Sequence, residues 1–250
     1  PGHGGAGKHA RDEMPEGLTD NLEYNPGGLA VLWAEENRRD SLFEAMLRRE
    51  AYGTSGTRPV LRFFGGWQYD SDLCESADFV KQGYEEGTPM GGDLPPSPVE
   101  GLAPVFAVSA LRDPGETAAP LERIEIVKGW LEEGELRESV VVVAGGDTDG
   151  SVDLSTCQRS GEGHSRLCGV WRDPDFDPRE KAFYYARTFE NPSCRWSQWA
   201  CVDAGVSCED SSKFTRGFAH CCSEEHQAII QERAWSSPIW YSGARQPSAR

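Results

Sequence analysis

The chain has 250 residues, with 41 acidic against 25 basic side chains and a formal net charge of −16. Such a surface repels phosphate backbones and anionic lipid, which argues against nucleic-acid and membrane-surface binding, and no apolar run approaches the ~20 residues of a membrane helix. Eight Trp and ten Phe supply material for a core and argue against whole-chain disorder, while 28 Gly and 16 Pro favour short strands and turns over long helices.

Residues 1–28 read as loop. Gly2-His3-Gly4-Gly5-Ala6-Gly7-Lys8-His9 comes close to a phosphate-binding loop, but His9 lacks the hydroxyl that would bind Mg²⁺, and Pro15 and Gly17 forbid the helix that should follow. A glycine loop lining a site is the better reading, with His3 and His9 as metal-ligand candidates by residue type alone. Leu29-Ala30-Val31-Leu32-Trp33-Ala34 is apolar on both faces, which predicts a buried strand between helices. A helix is predicted to start at Asn37, with Asp40 in its first turn, Leu42, Phe43, Met46 and Leu47 on one face, and Gly53 as its C-cap.

In α/β layers ligands sit outside the carboxyl ends of strands, so Glu35 and Glu36 are pocket candidates for catalysis and Asn37 for holding substrate. The alternative is that Asn37 caps the helix and the glutamates are solvated. In the turn that follows, Thr54 and Ser55 offer hydroxyls and Arg58 a guanidinium, a set suited to an anionic group. A glycine-containing linker explains the same residues.

From Arg58 onward the texture is that of short strands. Pro59–Phe64, Val105–Leu111, Ile124–Trp130, Val140–Val143, Ala182–Arg187 and Ser237–Tyr241 are separated by turn clusters such as Asp113-Pro114-Gly115 and Gly145-Gly146-Asp147, the pattern of a β-sandwich. Ile124 to Lys128 alternates as a half-buried strand does. Two stretches, about 68–92 and 191–232, read as insertions, and residues 242–250 as a frayed tail. The predicted fold class is α+β, mostly β.

Five of the eight cysteines fall between Cys194 and Cys222, and an even count in a Gly/Pro-rich chain predicts disulfides and export to the periplasm or cell exterior. Cys157 and Cys168 bracket a Gly-rich turn and are the preferred pair; the partners of the other six are not deducible. A zinc site drawing on His220, Cys221, Cys222 and His226 with Cys201 or Cys208 is the rival, but the spacing lacks the paired cysteines of structural zinc sites. Asp173, Asp175 and Asp177, like Asp147 and Asp149, lack the pattern of a helix–loop–helix calcium site and read as solvated turns. No Ser–His–Asp order, Cys–His dyad or His-x-His pair is present.

Long segments carry a family likeness. Asn25-Pro26-Gly27-Gly28-Leu29-Ala30-Val31-Leu32-Trp33-Ala34-Glu35-Glu36-Asn37, Arg49–Gly56, Met90-Gly91-Gly92-Asp93-Leu94-Pro95, Ile126–Trp130, Asp173-Pro174-Asp175-Phe176-Asp177-Pro178, Ala182–Arg187 and Ala234–Tyr241 resemble the bacterial domain-of-unknown-function family 3604 over nearly the whole chain. That family is similar to the polymerase-and-histidinol-phosphatase superfamily, in its carbaryl-hydrolase-like branch. The resemblance implies a distorted (β/α) barrel binding two or three divalent metal ions, followed by a β-rich domain. Residues 1–57 would be the closing strand and helix of that barrel, and 58–241 the β-domain, its last strands around Tyr185 and Ile239 split by the cysteine-rich insertion. The barrel's opening His-x-His and later Asp-x-His have no counterpart here and would precede Pro1, so no metal is expected on this part.

The expected function is thus the carboxy-terminal part of a metal-dependent hydrolase of phosphoester, ester or carbamate bonds, acting on a small molecule, with the amino-terminal half as its partner. Glu35, Glu36 and Arg58 would shape the pocket. The alternative is a non-catalytic exported binding or scaffolding β-domain stapled by disulfides.

Overall fold

The structure, a computed structural model, describes residues 27–116, 118–209, 218–224 and 226–243. Its first half contains β1 (Leu29–Leu32), α1 (Arg39–Leu47), β2 (Ala51–Thr54), β3 (Val60–Gly66), α2 (Phe79–Glu85), β4 (Gly87–Pro89), β5 (Val105–Leu111), β6 (Leu121–Glu132) and β7 (Glu135–Gly145). The second contains β8 (Ser151–Val152), β9 (Arg159–Ser160), β10 (Arg166–Arg172), β11 (Ala182–Glu190), β12 (Ser193–Cys194), α3 (Trp196–Asp203), β13 (Ile229–Ile230), β14 (Arg233–Ser236) and β15 (Ile239–Tyr241). The protein is α+β, mostly β. Among the described residues no helix is long and apolar enough to cross a membrane.

Two antiparallel sheets face each other. The larger runs β1-β2-β14-β11-β6-β7, with β15 also on β11, and the smaller runs β10-β5-β3-β4. Period-two alternation sends Leu61 and Phe63 of β3, Phe106 and Val108 of β5, Ile124 and Ile126 of β6 and Tyr184 of β11 into one shared core. Phe106 and Tyr184 meet across it with ring centroids 4.2 Å apart. The longest hairpin, β6–β7, turns on Glu133 and Gly134, both at positive φ (53° and 87°), as a two-residue turn matched to strand twist requires.

The smaller sheet is covered on its outer side as well. Phe64, Val105 and Ala107 face away from the shared core and pack on Tyr69, Leu73 and Phe79 from the 68–92 stretch. This is why Val105–Leu111 is apolar almost throughout. The segment Met90–Leu94 then threads between sheets: Met90 N–H donates to Phe63 O (2.9 Å), Gly91 N–H to Pro238 O (3.1 Å) and Leu94 N–H to Trp240 O (2.7 Å). Gly91 sits at φ +88°, and a Cβ there would lie 2.1 Å from Arg49 O, so only glycine fits.

At the front the structure departs from the sequence reading. β1 is an edge strand, paired only with β2 among the described residues, and Leu29 is 39% exposed; it is not a buried strand between helices. Nor does Asn37 cap the helix: α1 begins at Arg39 after Arg38, with no side-chain cap. The helix ends at Leu47, the chain reverses at Arg49 (φ 60°), and Gly53 lies inside β2. Of the expected apolar face, Leu42 is half-buried while Phe43, Met46 and Leu47 are exposed; the helix buries Ala45 instead. The front is held by buried Glu50, which accepts from Tyr84 Oη and lies 3.5 Å from Arg48 and 3.9 Å from Arg62. Arg62 stacks 3.2 Å over Trp33, whose indole N–H donates to Leu61 O (3.1 Å). The boundary expected after residue 57 falls between β2 and β3, and β2 pairs with β14 within the larger sheet.

Three charged positions also differ from the sequence reading. Along β6, Glu125 and Lys128 are both buried, so the strand is covered on both faces and not half-buried. Glu125 is held by Arg123 (2.5 Å) and Arg187, and these cations, against the cost of burial, keep its pKa below the usual carboxylate range. Asp173 is not a solvated turn residue. It is 1% exposed, pairs with Lys128 Nζ (2.7 Å) and accepts from Tyr184 Oη (2.8 Å), while its other oxygen accepts Asp175 N–H (3.0 Å). A charge this deep persists only with its partners in place.

Candidate functional site

The antiparallel register of β1 and β2 decides where the predicted site residues fall. Leu32 lies opposite Ala51 and Leu29 opposite Thr54. The Glu35–Asn37 loop therefore emerges at the start of β2, and Ser55 to Arg58 leave from its end, roughly 10 Å away at ~3.3 Å per residue. Glu35, Glu36 and Asn37 are all exposed, and Glu36 pairs with Arg38 at 2.8 Å. Thr54 is buried with no hydrogen-bond partner for its hydroxyl among the described residues. Glu35 and Glu36 are thus not brought together with Arg58. His3 and His9 lie outside the described residues.

What the β2 end does build is a cleft of about 460 Å³, within the usual range for small-molecule sites. One wall is the β2–β3 turn, Gly56 to Arg58. The second is the turn after β5, with Asp113 and Gly115. The third is the stapled segment of Cys157, Arg159, Ser193 and Cys194 together with Trp196 and Trp199 of α3, and Glu232 closes the rim. The rim is fixed by hydrogen bonds. Ser55 Oγ donates to the Glu232 carboxylate and accepts Arg233 N–H (2.8 Å), and Asp113 accepts the backbone N–H groups of Arg58 and Gly115, each at 2.8 Å. Arg159 Nη2 donates to Glu116 O (2.6 Å).

Trp196 and Trp199 are 40% and 42% exposed. Three residues apart on a helix, they share a face. The helix between them and the body is stapled on both sides, by Cys157–Cys194 before it and Cys201–Cys221 within and after it. None of this was read from the sequence, although the signal was there: Trp196-x-x-Trp199 flanked by Cys194 and Cys201 in a segment with little else to bury.

Beneath the cleft floor lies Glu190, 1% exposed, at the β11 bulge where the register against β6 shifts. Its carboxylate accepts Thr57 Oγ1–H (2.5 Å) and Ala119 N–H (3.0 Å). Burial pushes its pKa up to about 7 against the pull of those two donors, with Glu232 and Asp113 raising it further. Thr57 links this proton-binding group to the cleft surface.

The cysteines pair as Cys74–Cys168, Cys157–Cys194, Cys201–Cys221 and Cys208–Cys222, leaving none free. The expected Cys157–Cys168 pair is wrong. Cys168 lies on β10, against the 68–92 stretch that carries Cys74, whereas Cys157, at φ 56°, turns toward β12. Four disulfides mark a fold suited to an oxidising compartment. Ligand-type atoms of Cys201, His220 and Cys221 lie within 4.8 Å of one another, but two of the three are the sulfurs of one disulfide and offer no thiolate. His226 Nε2 instead bonds Gln198 Oε1 at 2.9 Å. The zinc reading fails on this chemistry.

A family model described as "Protein of unknown function (DUF3604)" matches residues 5–243. The chain belongs to that family. No curated protein and no solved structure shows a significant match. The segments that carry the family likeness build the body of the fold. Gly91 and Leu94 tie the sheets, Asp173 neutralises Lys128, and Tyr184 and Ile239 fill the core. The tryptophan wall of the cleft belongs to the cysteine-rich stretch between them.

Proposed function

We propose that this chain is the β-rich part of an exported metal-dependent hydrolase of phosphoester, ester or carbamate bonds, and that its front docks against a separate, metal-bearing body. The front carries the reading. β1 has one partner strand among the described residues, and α1 presents Phe43, Met46 and Leu47 at 57%, 53% and 67% exposure, beside the carboxylates of Glu35 and Glu36. Covering the part of these side chains still exposed contributes about 1–2 kcal/mol each, and clustered apolar exposure on an otherwise acidic protein marks a docking surface. Bound divalent ions would supply an activated water. From this chain, Glu35, Glu36 and Asn37 would meet the substrate at the seam, with the periplasm or cell exterior as the working compartment.

The full reading frame that encodes this chain should hydrolyse at least one of an aryl phosphate, an aryl acetate or an aryl N-methylcarbamate, with loss of activity in EDTA and recovery with Mn²⁺ or Zn²⁺. Glu35→Gln with Glu36→Gln should lower kcat/KM without altering the fold. Absence of metal-dependent turnover on all three substrates contradicts the proposal.

A second reading, a non-catalytic exported binding module, is favoured by one specific feature: the cleft, which has a ligand-sized volume, stapled walls and two exposed indoles, and which lies away from Glu35 and Glu36.

A further inference from the structure

Resting on the second reading, we infer that the cleft between the β2–β3 turn and α3 binds an acidic saccharide, stacking a pyranose ring on Trp196 or Trp199 and pairing its carboxylate with Arg58. The inference is independent of the hydrolase proposal, since the cleft shares none of the front residues.

Three features select this ligand class. The first is the pair of indoles. Trp196 and Trp199 line the cleft at 40% and 42% exposure, and the flat, electron-rich faces of indoles fit the axial C–H faces of a sugar ring. They are also pre-ordered. With disulfides two residues before Trp196 and two after Trp199, little freedom remains to be lost when a ligand stacks.

The second feature is the rim. Thr57, Asp113 and Glu232 place a hydroxyl and two carboxylates on the lining of the same cleft as the two indoles. Vicinal sugar hydroxyls both donate and accept, so they match the remaining acceptor positions of carboxylates placed side by side. The rim carboxylates are anchored from behind, Asp113 by two backbone N–H groups and Glu232 by Ser55, so they do not need to reorganise on binding.

The third is Arg58. Its backbone N–H is spent on Asp113, but its guanidinium has no ion pair with any described residue and it lines the cleft. On a protein of net charge −16 a long-range field would repel an anion, so acid recognition here must come from a local bidentate fork, which an arginine supplies. A neutral sugar leaves that fork unused. A uronic acid fills it.

The test uses the intact, oxidised chain, with isothermal calorimetry against trigalacturonate, cellotriose and a tri-glutamate peptide, and with the indole N–H resonances of Trp196 and Trp199 assigned through Trp196→Phe and Trp199→Phe. Trigalacturonate should bind with a Kd of about 1 mM or tighter and shift at least one of the two indole signals. Cellotriose should bind about tenfold more weakly. Trp196→Ala or Trp199→Ala should weaken trigalacturonate about tenfold or more, and Arg58→Gln should remove the preference for trigalacturonate over cellotriose while leaving cellotriose unchanged. Intact mass showing four disulfides and an unchanged circular dichroism spectrum qualify each variant, with the phenylalanine variants as milder replacements for any alanine variant that misfolds. Equal binding of the acidic and neutral sugars, or an Arg58→Gln chain that keeps its preference, overturns the acidic assignment. Peptide binding that depends on the tryptophans, without saccharide binding, overturns the ligand class but keeps the cleft as a site. No response of either indole to any of the three probes overturns both.

Discussion

Glu190→Gln isolates a buried carboxylate whose pKa the fold raises toward neutrality. In the native chain Glu190 is 1% exposed, and its pKa is pushed from 4.5 up to about 7. The native state therefore keeps a proton that the unfolded chain releases between those two values. Stability from this group is fully present below pH 4.5, declines as pH rises to about 7, and is flat above. At ~1.4 kcal/mol per pH unit the decline amounts to at most about 3.5 kcal/mol. Glutamine is nearly isosteric and keeps both contacts, since its carbonyl can accept from Ala119 N–H and its amide can donate to Thr57 Oγ1, but it does not titrate. Urea unfolding of both chains at pH 4.5 and pH 8 gives the answer as a difference of differences, in which every other titrating group cancels. The variant should match the native chain at pH 4.5 and exceed it by about 2–3 kcal/mol at pH 8. The same gap at both pH values would refute the buried, raised-pKa carboxylate.

Other perturbations probe separate parts of the fold. Asp173→Asn should cost about 3–5 kcal/mol by leaving the Lys128 charge buried without its partner, read as a fall in the urea midpoint; Lys128→Met with Asp173→Leu should recover much of that loss. Gly91→Ala should cost at least ~2 kcal/mol by thermal melting, since a Cβ at φ +88° is strained even before it meets Arg49 O. Non-reducing peptide mapping should return Cys74–Cys168, Cys157–Cys194, Cys201–Cys221 and Cys208–Cys222; a Cys157–Cys168 peptide would contradict the arrangement of β10 and β12. Replacing Phe43, Met46 and Leu47 by Ser should change stability by no more than ~0.5 kcal/mol each, yet reduce binding of a hydrophobic dye, because these side chains already stand in water.

The strands were the most legible part of the sequence. Val60–Gly66, Val105–Leu111, Leu121–Glu132 and Ala182–Glu190 each overlap a predicted run, because central strands of a sandwich need apolar residues that no helix period explains. Leu29–Ala34 has the same texture, and there the inference failed. An apolar run reports that a strand has something to bury, not what covers it, and here neither face is fully covered by the described residues. Arg166–Arg172 went unseen because its partners, β5 on one side and Cys74 on the other, are distant in sequence.

Site residues were harder to read for the same reason. Glu35 and Arg58 are close in sequence, but four residues of extended β2 lie between their loops, and a strand separates what it joins. The cleft is assembled from five separate stretches of chain, so no local spacing announces it. Asp173 among its prolines reads as a turn until Lys128 and Tyr184 arrive from 45 residues before and 11 after. Sequence proximity likewise suggested Cys157–Cys168, whereas the sheet geometry sends the two sulfurs to different partners.

Amide hydrogen exchange on this chain alone and on the protein from its full reading frame tests the docking proposal most directly. Residues 29–47, spanning β1 and α1, should exchange fast in this chain alone and become strongly protected where the proposed body docks on them, while the core strands β5 and β11 stay unchanged. Identical exchange of β1 and α1 in the two would mean that nothing covers the front, and the proposal of a docked metal-bearing body would fall.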